Sequence, residues 1–386
     1  CLRYMPSLAH IPFAEGMGNS RLFLLLCSSL RVTLAARQPL ALAPSDPSSD
    51  EHVLALRKLP ASARVLVTGG AGFIGFHLAR RLQSEGVQVT ALDNMDPYYS
   101  VRLKRRRWGL LGEAGVELVE GDLCNESLLV GLHERRKFTH VADLAGQAGV
   151  RYSLINPSAY VNTNIVGQLN ILEMCRQLPN VEHVVYASSS SVYGGSSALP
   201  FSESDSVNLP VSLYAASKKA DELMGHVYAH LYRIPLTGLR FFTVYGPWGR
   251  PDMAAYIFTR AIFSGEPIKI FNNGDMRRDF TYVDDVVQGV LAVLDAPPSG
   301  AGESAPHRIY NIGNNRSEPL LRYVELLEKA IGRRAEKELA PMQPGDVKET
   351  YADIEAIRRD HGFEPKTSID EGIPRFVAWY RDYHGV

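Results

Sequence analysis

No stretch of this 386-residue sequence approaches the ~20 consecutive apolar residues that a membrane-crossing helix needs, so the sequence offers no helical span. Cysteine is scarce: Cys1, Cys27, Cys124 and Cys175 are scattered, with no Cys-x-x-Cys pair. That excludes a disulfide framework and a zinc-finger-like metal site, and it places the folded part in a reducing compartment, the cytoplasm. Excess charge is also missing, with 41 basic against 42 acidic residues and a formal net charge of −1. There is no electrostatic case for nucleic acid or a membrane surface as a partner. What remains is ordinary globular composition, 45% hydrophobic and 22% charged, enough for one large α/β domain or two lobes.

Acids are scarce at one end. The chain opens at Cys1 rather than Met, consistent with a true start upstream. Up to Pro44 it carries Arg3, Arg21, Arg31 and Arg37 against the single acid Glu15. The apolar run Leu22-Phe23-Leu24-Leu25-Leu26 and a cleavage-like Ala41-Leu42-Ala43 lie within it. This composition suits an organellar transit peptide and equally a disordered extension. Residues 1–60 are therefore set apart from the fold.

Arg64-Val65-Leu66-Val67-Thr68 reads as a buried parallel strand. It runs into Gly69-Gly70-Ala71-Gly72-Phe73-Ile74-Gly75 and then an amphipathic helix to about Glu85. Glycines there permit a tight turn, close approach of a pyrophosphate, and helix-on-strand packing. The helix N-terminus offers unpaired N–H groups to the phosphates. The spacing is Gly-x-x-Gly-x-x-Gly, a variant of the general dinucleotide fingerprint. A second strand, residues 88–92, ends at Asp93-Asn94. An acid at that place accepts from adenosine ribose hydroxyls and repels a 2′-phosphate, so NAD is expected over NADP. A third strand, 116–120, leads to Asp122-Leu123 as an adenine contact, and a fourth, 140–144, ends in Asp143-Leu144-Ala145-Gly146. Arg102, Lys104, Arg105, Arg106 and Arg107 read as a solvated helix face. Gly167 lies inside a helix that follows Pro157, which predicts close packing against a neighbour.

The chemistry centres on Tyr214-Ala215-Ala216-Ser217-Lys218. Tyrosine and lysine four apart on a helix share a face, one turn apart. A cation held that close favours the phenolate, which can take a proton from a sugar hydroxyl and return it. A fifth strand, 183–187, ends in Ser188-Ser189-Ser190-Ser191, hydroxyls at the carboxyl end of a strand where open α/β sheets bind ligands.

With these residues the chain resembles the extended short-chain dehydrogenase/reductase (NAD-dependent epimerase/dehydratase) family, from about Ala63 to the C-terminus. Within it the similarity is to the UDP-glucuronate 4-epimerases. It is carried by residues 147–153, 240–253, 278–285 and 342–347, among them Arg240-Phe241-Phe242-Thr243-Val244-Tyr245-Gly246-Pro247-Trp248-Gly249-Arg250. The resemblance implies a Rossmann-like doubly wound parallel sheet over residues 61–246, mainly an NAD domain. Residues 247–386 would form a smaller substrate lobe, with some elements returning to the sheet. It implies C4 epimerisation of UDP-glucuronate to UDP-galacturonate through a 4-keto intermediate. Tyr214 would be the acid-base group, Lys218 its partner, and Ser189 the O4 contact. Arg250 and Arg278 would approach the UDP, and Asp346 its nucleotide end. Ser190, Ser191 and Thr243 supply neutral hydroxyls suited to a C6 carboxylate, where related dehydratases and decarboxylases carry an acid in place of Ser191. A homodimer is implied, packed through the helix after Pro157 and the one carrying Tyr214. Asp143 departs from the pattern: a carboxylate beside the cofactor's pyrophosphate must point away, find a cation, or weaken NAD binding. The alternatives are a 4-epimerase of another UDP-sugar of the glucose/galactose type, or a non-catalytic nucleotide-sugar-binding protein on the same fold.

Overall fold

The structure, a computed structural model, describes residues 59–386 apart from 178–179, 197, 301–303 and 344–345. The targeting or disordered reading of residues 1–58 lies outside the described residues. The described residues group as one compact unit.

Seven parallel strands form the central sheet: β1 (Arg64–Thr68), β2 (Gln88–Asp93), β3 (Glu117–Glu120), β4 (His140–Asp143), β5 (His183–Ser189), β6 (Leu236–Phe241) and β7 (His307–Ile312). Their order is β7-β6-β5-β4-β1-β2-β3. Val65, Leu66 and Val67 are fully buried because helices cover both faces, which is why the run is apolar without alternation. The chain order reverses between β1 and β4, and there the strand ends open a crevice for a ligand.

The helices on this sheet are α1 (Phe73–Ser84), α2 (Val101–Glu113), α3 (Glu126–Arg136), α4 (Gly167–Gln177) and α5 (Leu213–Tyr232). Three start on side-chain caps: the oxygens of Ser100, Asn125 and Ser212 accept from the N–H groups of Leu103, Leu128 and Ala215. Helix α1 has no side-chain cap, so its first N–H groups face the glycine turn. The helix expected after Pro157 is composite: a turn Pro157–Tyr160, a π-helical turn Val161–Val166, then α4. A Cβ on Gly167 would stand 3.0 Å from the Leu123 Cβ, the close packing expected there.

Helices α6 (Ala254–Ser264), α8 (Leu320–Ile331) and α9 (Ile369–His384) pack around a separate aromatic core that includes Tyr256, Phe280, Tyr323, Phe376 and Tyr380. Between α6 and α8, α7 (Val283–Leu294) and then β7 return to the sheet. No described helix is long and apolar enough to cross a membrane.

Two local readings change. The fifth strand runs on through Ser188 and Ser189, which pair in register with Arg240 and Phe241 of β6. And α2 is not a solvated basic face. Arg102, Arg105 and Arg106 are exposed, but Lys104 and Arg107 turn inward with Leu103, Trp108 and Leu111. The fully buried Arg107 donates to the carbonyls of Ala71, 2.8 Å, and Trp248, 2.5 Å, tying the glycine turn to the segment after β6.

Candidate active site

At the carboxyl ends of β1, β2, β4 and β5 lies a cleft of about 940 Å³, roofed by the second lobe. Every residue singled out from the sequence as a site residue lines it.

The glycine turn forms its floor. Gly69 has φ of +65°, and a Cβ on it would meet the backbone of Leu144 and Ala145 at 2.9 Å. A Cβ on Gly72 or Gly75 would meet the Gly69 carbonyl oxygen at 2.7 or 2.2 Å. The turn therefore presents bare backbone beside the uncapped start of α1, with Phe73 and Ile74 on the cleft wall. That cradle fits a dinucleotide pyrophosphate.

Asp93, at the end of β2, is more constrained than its sequence position suggests. Its carboxylate accepts from Ala71 N–H at 3.1 Å and Met95 N–H at 2.9 Å, with the Lys104 ammonium at 3.6 Å. The acid thus braces the turn as well as facing the cleft. Asn94 donates to Asp122 at 2.8 Å, and Asp122 also accepts from Cys124 N–H. Burial pushes the Asp122 carboxyl up, but these two donors more than offset it and hold it below the usual range. Leu123, expected from the sequence as an adenine contact, lines the cleft beside them.

Asp143 points away from the cleft. It is buried, and Thr68 donates to its Oδ1 at 2.5 Å, while Leu144 and Ala145 turn to the cleft. Thr68 Oγ1 in turn accepts from Ala145 N–H at 3.0 Å, which holds that backbone in place. Of the outcomes open to this carboxylate, the structure takes the first. Burial raises its affinity for a proton, against Thr68 and Lys218.

Tyr214 and Lys218 sit on α5, facing the cleft. The Tyr214 ring packs edge-on to Tyr160, with centroids 6.0 Å apart. Lys218 is 5% exposed and donates to Asp221 at 3.0 Å. Asn164 joins Gln147 and α5: it accepts from Gln147 N–H and donates to the Gln147 carbonyl and to Ser217. Helix α5 is fixed to the serine strand by a buried network. Glu222 accepts from Arg240 through both oxygens, at 2.8 and 2.9 Å, and from Ser188 at 2.8 Å. Arg240 also donates to Tyr193, and Tyr193 to Asn311. The Ser188 hydroxyl is thereby committed to Glu222, and those of Ser189 to Ser191 remain for the cleft. Ser189 Oγ accepts from Ser191 N–H at 3.1 Å and lies 3.2 Å from Ser191 Oγ.

On the second-lobe side stand Thr243, Arg250, Arg278 and Asp346. Arg250 forms a two-pronged pair with Asp252, at 3.0 and 2.5 Å, and Tyr98 donates to Asp252 at 3.1 Å. Burial pushes Asp252 up, but Arg250 more than offsets it, so it stays a carboxylate. Burial and that carboxylate push the Tyr98 hydroxyl up to about 12, so it stays a donor. Arg278 does not pair with Asp279. Its guanidinium donates to the carbonyls of Arg277 and Lys348. Asp279 is spent on Thr281 and the N–H groups of Asn314 and Ala352. Asp346 pairs with Arg151 at 2.9 Å, and Arg151 lies over the Phe271 ring, 4.7 Å from its centroid.

Sequence reasoning missed Tyr98, Tyr99, Lys104, Arg151, Asp252 and Phe271 as cleft residues. For Lys104 a signal existed, since it shares the inward face of α2 with Arg107, Trp108 and Leu111. Tyr98 with Asp252, and Arg151 with Asp346 and Phe271, meet only through long-range contacts.

Residues 65–313 match the NAD dependent epimerase/dehydratase family. UDP-glucuronate 4-epimerase 1 of Arabidopsis thaliana is 47% identical over 331 residues, covering 83% of this chain and 77% of that protein. A probable UDP-glucuronate 4-epimerase of Rhizobium meliloti (strain 1021) is 46% identical over 330 residues, covering 82% and 96%. The crystal structure of UDP-glucuronic acid 4-epimerase from Bacillus cereus, in complex with UDP-glucuronic acid and NAD, superposes with a TM-score of 0.76 at 31% identity, covering 83% of this chain and 99% of that one. The chain belongs to the NAD dependent epimerase/dehydratase family.

Proposed function

We propose that this chain is an isomerase that inverts C4 of UDP-glucuronate to give UDP-galacturonate, with NAD as its cofactor. The observation that carries the reading is the meeting of Tyr214 and Lys218 with the hydroxyls of Ser189, Ser190, Ser191 and Thr243 in one cleft, backed by relatives of that activity. The glycine turn, Asp93, Asn94, Asp122, Leu123, Leu144 and Ala145 would hold NAD. NAD, when bound, supplies the acceptor and donor of the C4 hydride.

In this reading Tyr214 takes the O4 proton of the sugar and returns it to O4 after the 4-keto sugar has turned over, so that hydride given back to the other face of C4 inverts that centre. Lys218 favours the anionic form of Tyr214. Ser189, oriented by Ser191 N–H, hydrogen-bonds O4. Oxidation at C4 makes the uronate a β-keto acid, which can lose CO2. Hydroxyls from Ser190, Ser191 and Thr243 restrain the carboxylate until C4 is reduced again. Arg250 and Arg278 take the diphosphate, where guanidinium forks suit phosphate oxygens. Asp252 orients Arg250, and Asp346 with Arg151 takes the nucleotide end.

The competing reading is a 4-epimerase of a neutral UDP-sugar, and the two part on substrate preference. The hydroxyl wall predicts kcat/KM for UDP-glucuronate at least about tenfold above that for UDP-glucose, consistent with one or two charge-assisted hydrogen bonds. Equal or reversed values would favour the neutral-sugar reading.

The active form is read as a homodimer. Leu223, Val227 and Leu231 stand exposed at i, i+4 and i+8 on α5, beside exposed Val161, Val166 and Leu169 of the adjoining helix. Such a paired apolar face supports packing against a second copy as a four-helix bundle. The described cysteines, Cys124 and Cys175, are free thiols, which supports a reducing compartment such as the cytoplasm for the folded core.

A further inference from the structure

Lys218 is buried, and a buried ammonium needs a counter-charge. It has one behind it. Asp221, one turn along α5, accepts from its Nζ through Oδ2 at 3.0 Å and is fully buried. The other oxygen, Oδ1, has no hydrogen-bond partner among the described residues. A second carboxylate, Asp143 at the end of β4, is buried close enough to act on both Lys218 and Asp221, and is held by Thr68 at 2.5 Å. Gln168 of α4 donates to the Asp221 carbonyl at 3.1 Å, fixing this turn of the helix. One carboxylate thus holds the ammonium directly and the second acts on it from farther off, and that ammonium also forms part of the cleft wall.

We propose that Asp221, backed by Asp143, is a positioning residue for Lys218: it holds the ammonium in place and, by taking or losing its own proton, sets how much of that positive charge reaches Tyr214. When Asp221 is ionised, its charge offsets that of Lys218. When it is neutral, the ammonium acts on Tyr214 undiminished, apart from Asp143. The groups that face this site are Lys218, Glu222 and Tyr214 on α5, Asp143 on β4, Tyr186 on β5 and Cys175 on α4. Glu222 is committed to Arg240, and burial pushes the Tyr186 hydroxyl and the Cys175 thiol up, so both stay neutral. Burial is also the first cause that pushes Asp221 well above the ordinary carboxylate range, with Asp143 and Glu222 adding and Lys218 opposing. Burial raises the proton affinity of both Asp221 and Asp143, and of the two it is Asp221 that contacts the ammonium directly.

The inference rests on the reading of Tyr214 and Lys218 as the acid-base pair, and its test does not need turnover. The tyrosinate absorption of the full-length protein is titrated, and the same titration of a Tyr214→Phe protein is subtracted. Asn at 221 keeps an acceptor for Lys218 but removes the charge. In Asp221→Asn the Tyr214 phenolate is expected to appear at least about half a pH unit lower than in the wild type. Where the protein turns over, the acid limb of kcat/KM moves the same way. Asp221→Ala loses the hold as well as the charge, so its kcat falls about tenfold or more below that of Asp221→Asn. Asp143→Asn, which keeps an acceptor for Thr68, moves the phenolate in the same direction by less. Titrations of Asp221→Asn and Asp143→Asn that coincide with the wild type, or move up, overturn the inference. If Asp221→Asn does not fold, Asp143→Asn decides alone. A phenolate shift in Asp221→Asn, beside a wild type that leaves UDP-glucuronate untouched, would count against the substrate reading and not against this one.

Discussion

In the proposed mechanism Tyr214 carries the proton transfer, so Tyr214→Phe tests the smallest unit of the account. The expected loss in kcat is about 10²–10⁴-fold, the usual contribution of a positioned acid-base group, with KM little changed. Thr243→Ala and Ser190→Ala address the carboxylate. Each is expected to raise KM for UDP-glucuronate several-fold and to release a measurable pentose nucleotide by loss of CO2, detected by chromatography. Unchanged affinity together with unchanged product in both variants contradicts the carboxylate role. At this scale the sequence was most legible where chemistry sits on a short local pattern. Tyr214 and Lys218 are one helical turn apart, and the glycine turn is seven consecutive residues. It was least legible where a side chain's partner is remote. Tyr98 meets Asp252 across 154 positions, and Arg107 meets Trp248 across 141, distances that no periodicity reports.

At the scale of elements, the strand β1, the turn and α1 act together. Gly75→Ala would place a Cβ 2.2 Å from the Gly69 carbonyl oxygen, which the turn cannot accommodate without moving. The expected result is protein purified with at least about tenfold less bound NAD, read from its absorbance after denaturation. Full NAD occupancy in that variant contradicts the cradle. Helix α5 presents two faces with separate duties, Tyr214 and Lys218 inward and Leu223, Val227 and Leu231 outward. Leu223→Asp with Val227→Asp is expected to give a monomer by light scattering, since like charges would face each other across a two-fold bundle. The wild type measured as a monomer contradicts the dimer. The ends of the first five strands were read from the sequence within one residue, except at Ser188 and Ser189. Serine looks like a loop residue, and it stays in β5 because Glu222 satisfies the Ser188 hydroxyl inside the sheet. The basic run on α2 was misread for a related reason. Counting charges ignored the helical period that turns Lys104 and Arg107 inward.

The whole molecule has a pH signature apart from the chemistry. His183 is fully buried between the Leu294 carbonyl at 3.1 Å and Thr237 at 2.9 Å. Burial lowers its pKa to about 3, only partly opposed by the Leu294 carbonyl. Its folded-state value lies below the unfolded one, so the unfolded chain takes up a proton that the folded chain refuses. The stability this provides is present above ~6.5 and lost as pH falls toward the folded value. From about pH 7.5 to about pH 5.5 this residue alone should remove about 1.4 kcal/mol, measured by urea unfolding. His183→Gln should flatten that slope; an unchanged slope contradicts the assignment. Globally, the sheet order and the cleft follow from an alternation of strands and helices that the sequence displays openly. The second lobe's aromatic core does not, because Phe280, Tyr323 and Phe376 come together from distant segments. The central claim is tested most directly by incubating the purified chain with UDP-glucuronate, with and without added NAD, and identifying the product by proton NMR. The account predicts UDP-galacturonate, formed without added NAD if the cradle retains its cofactor and otherwise on its addition. A pentose nucleotide with CO2 as the main product, or no change under either condition, would contradict it.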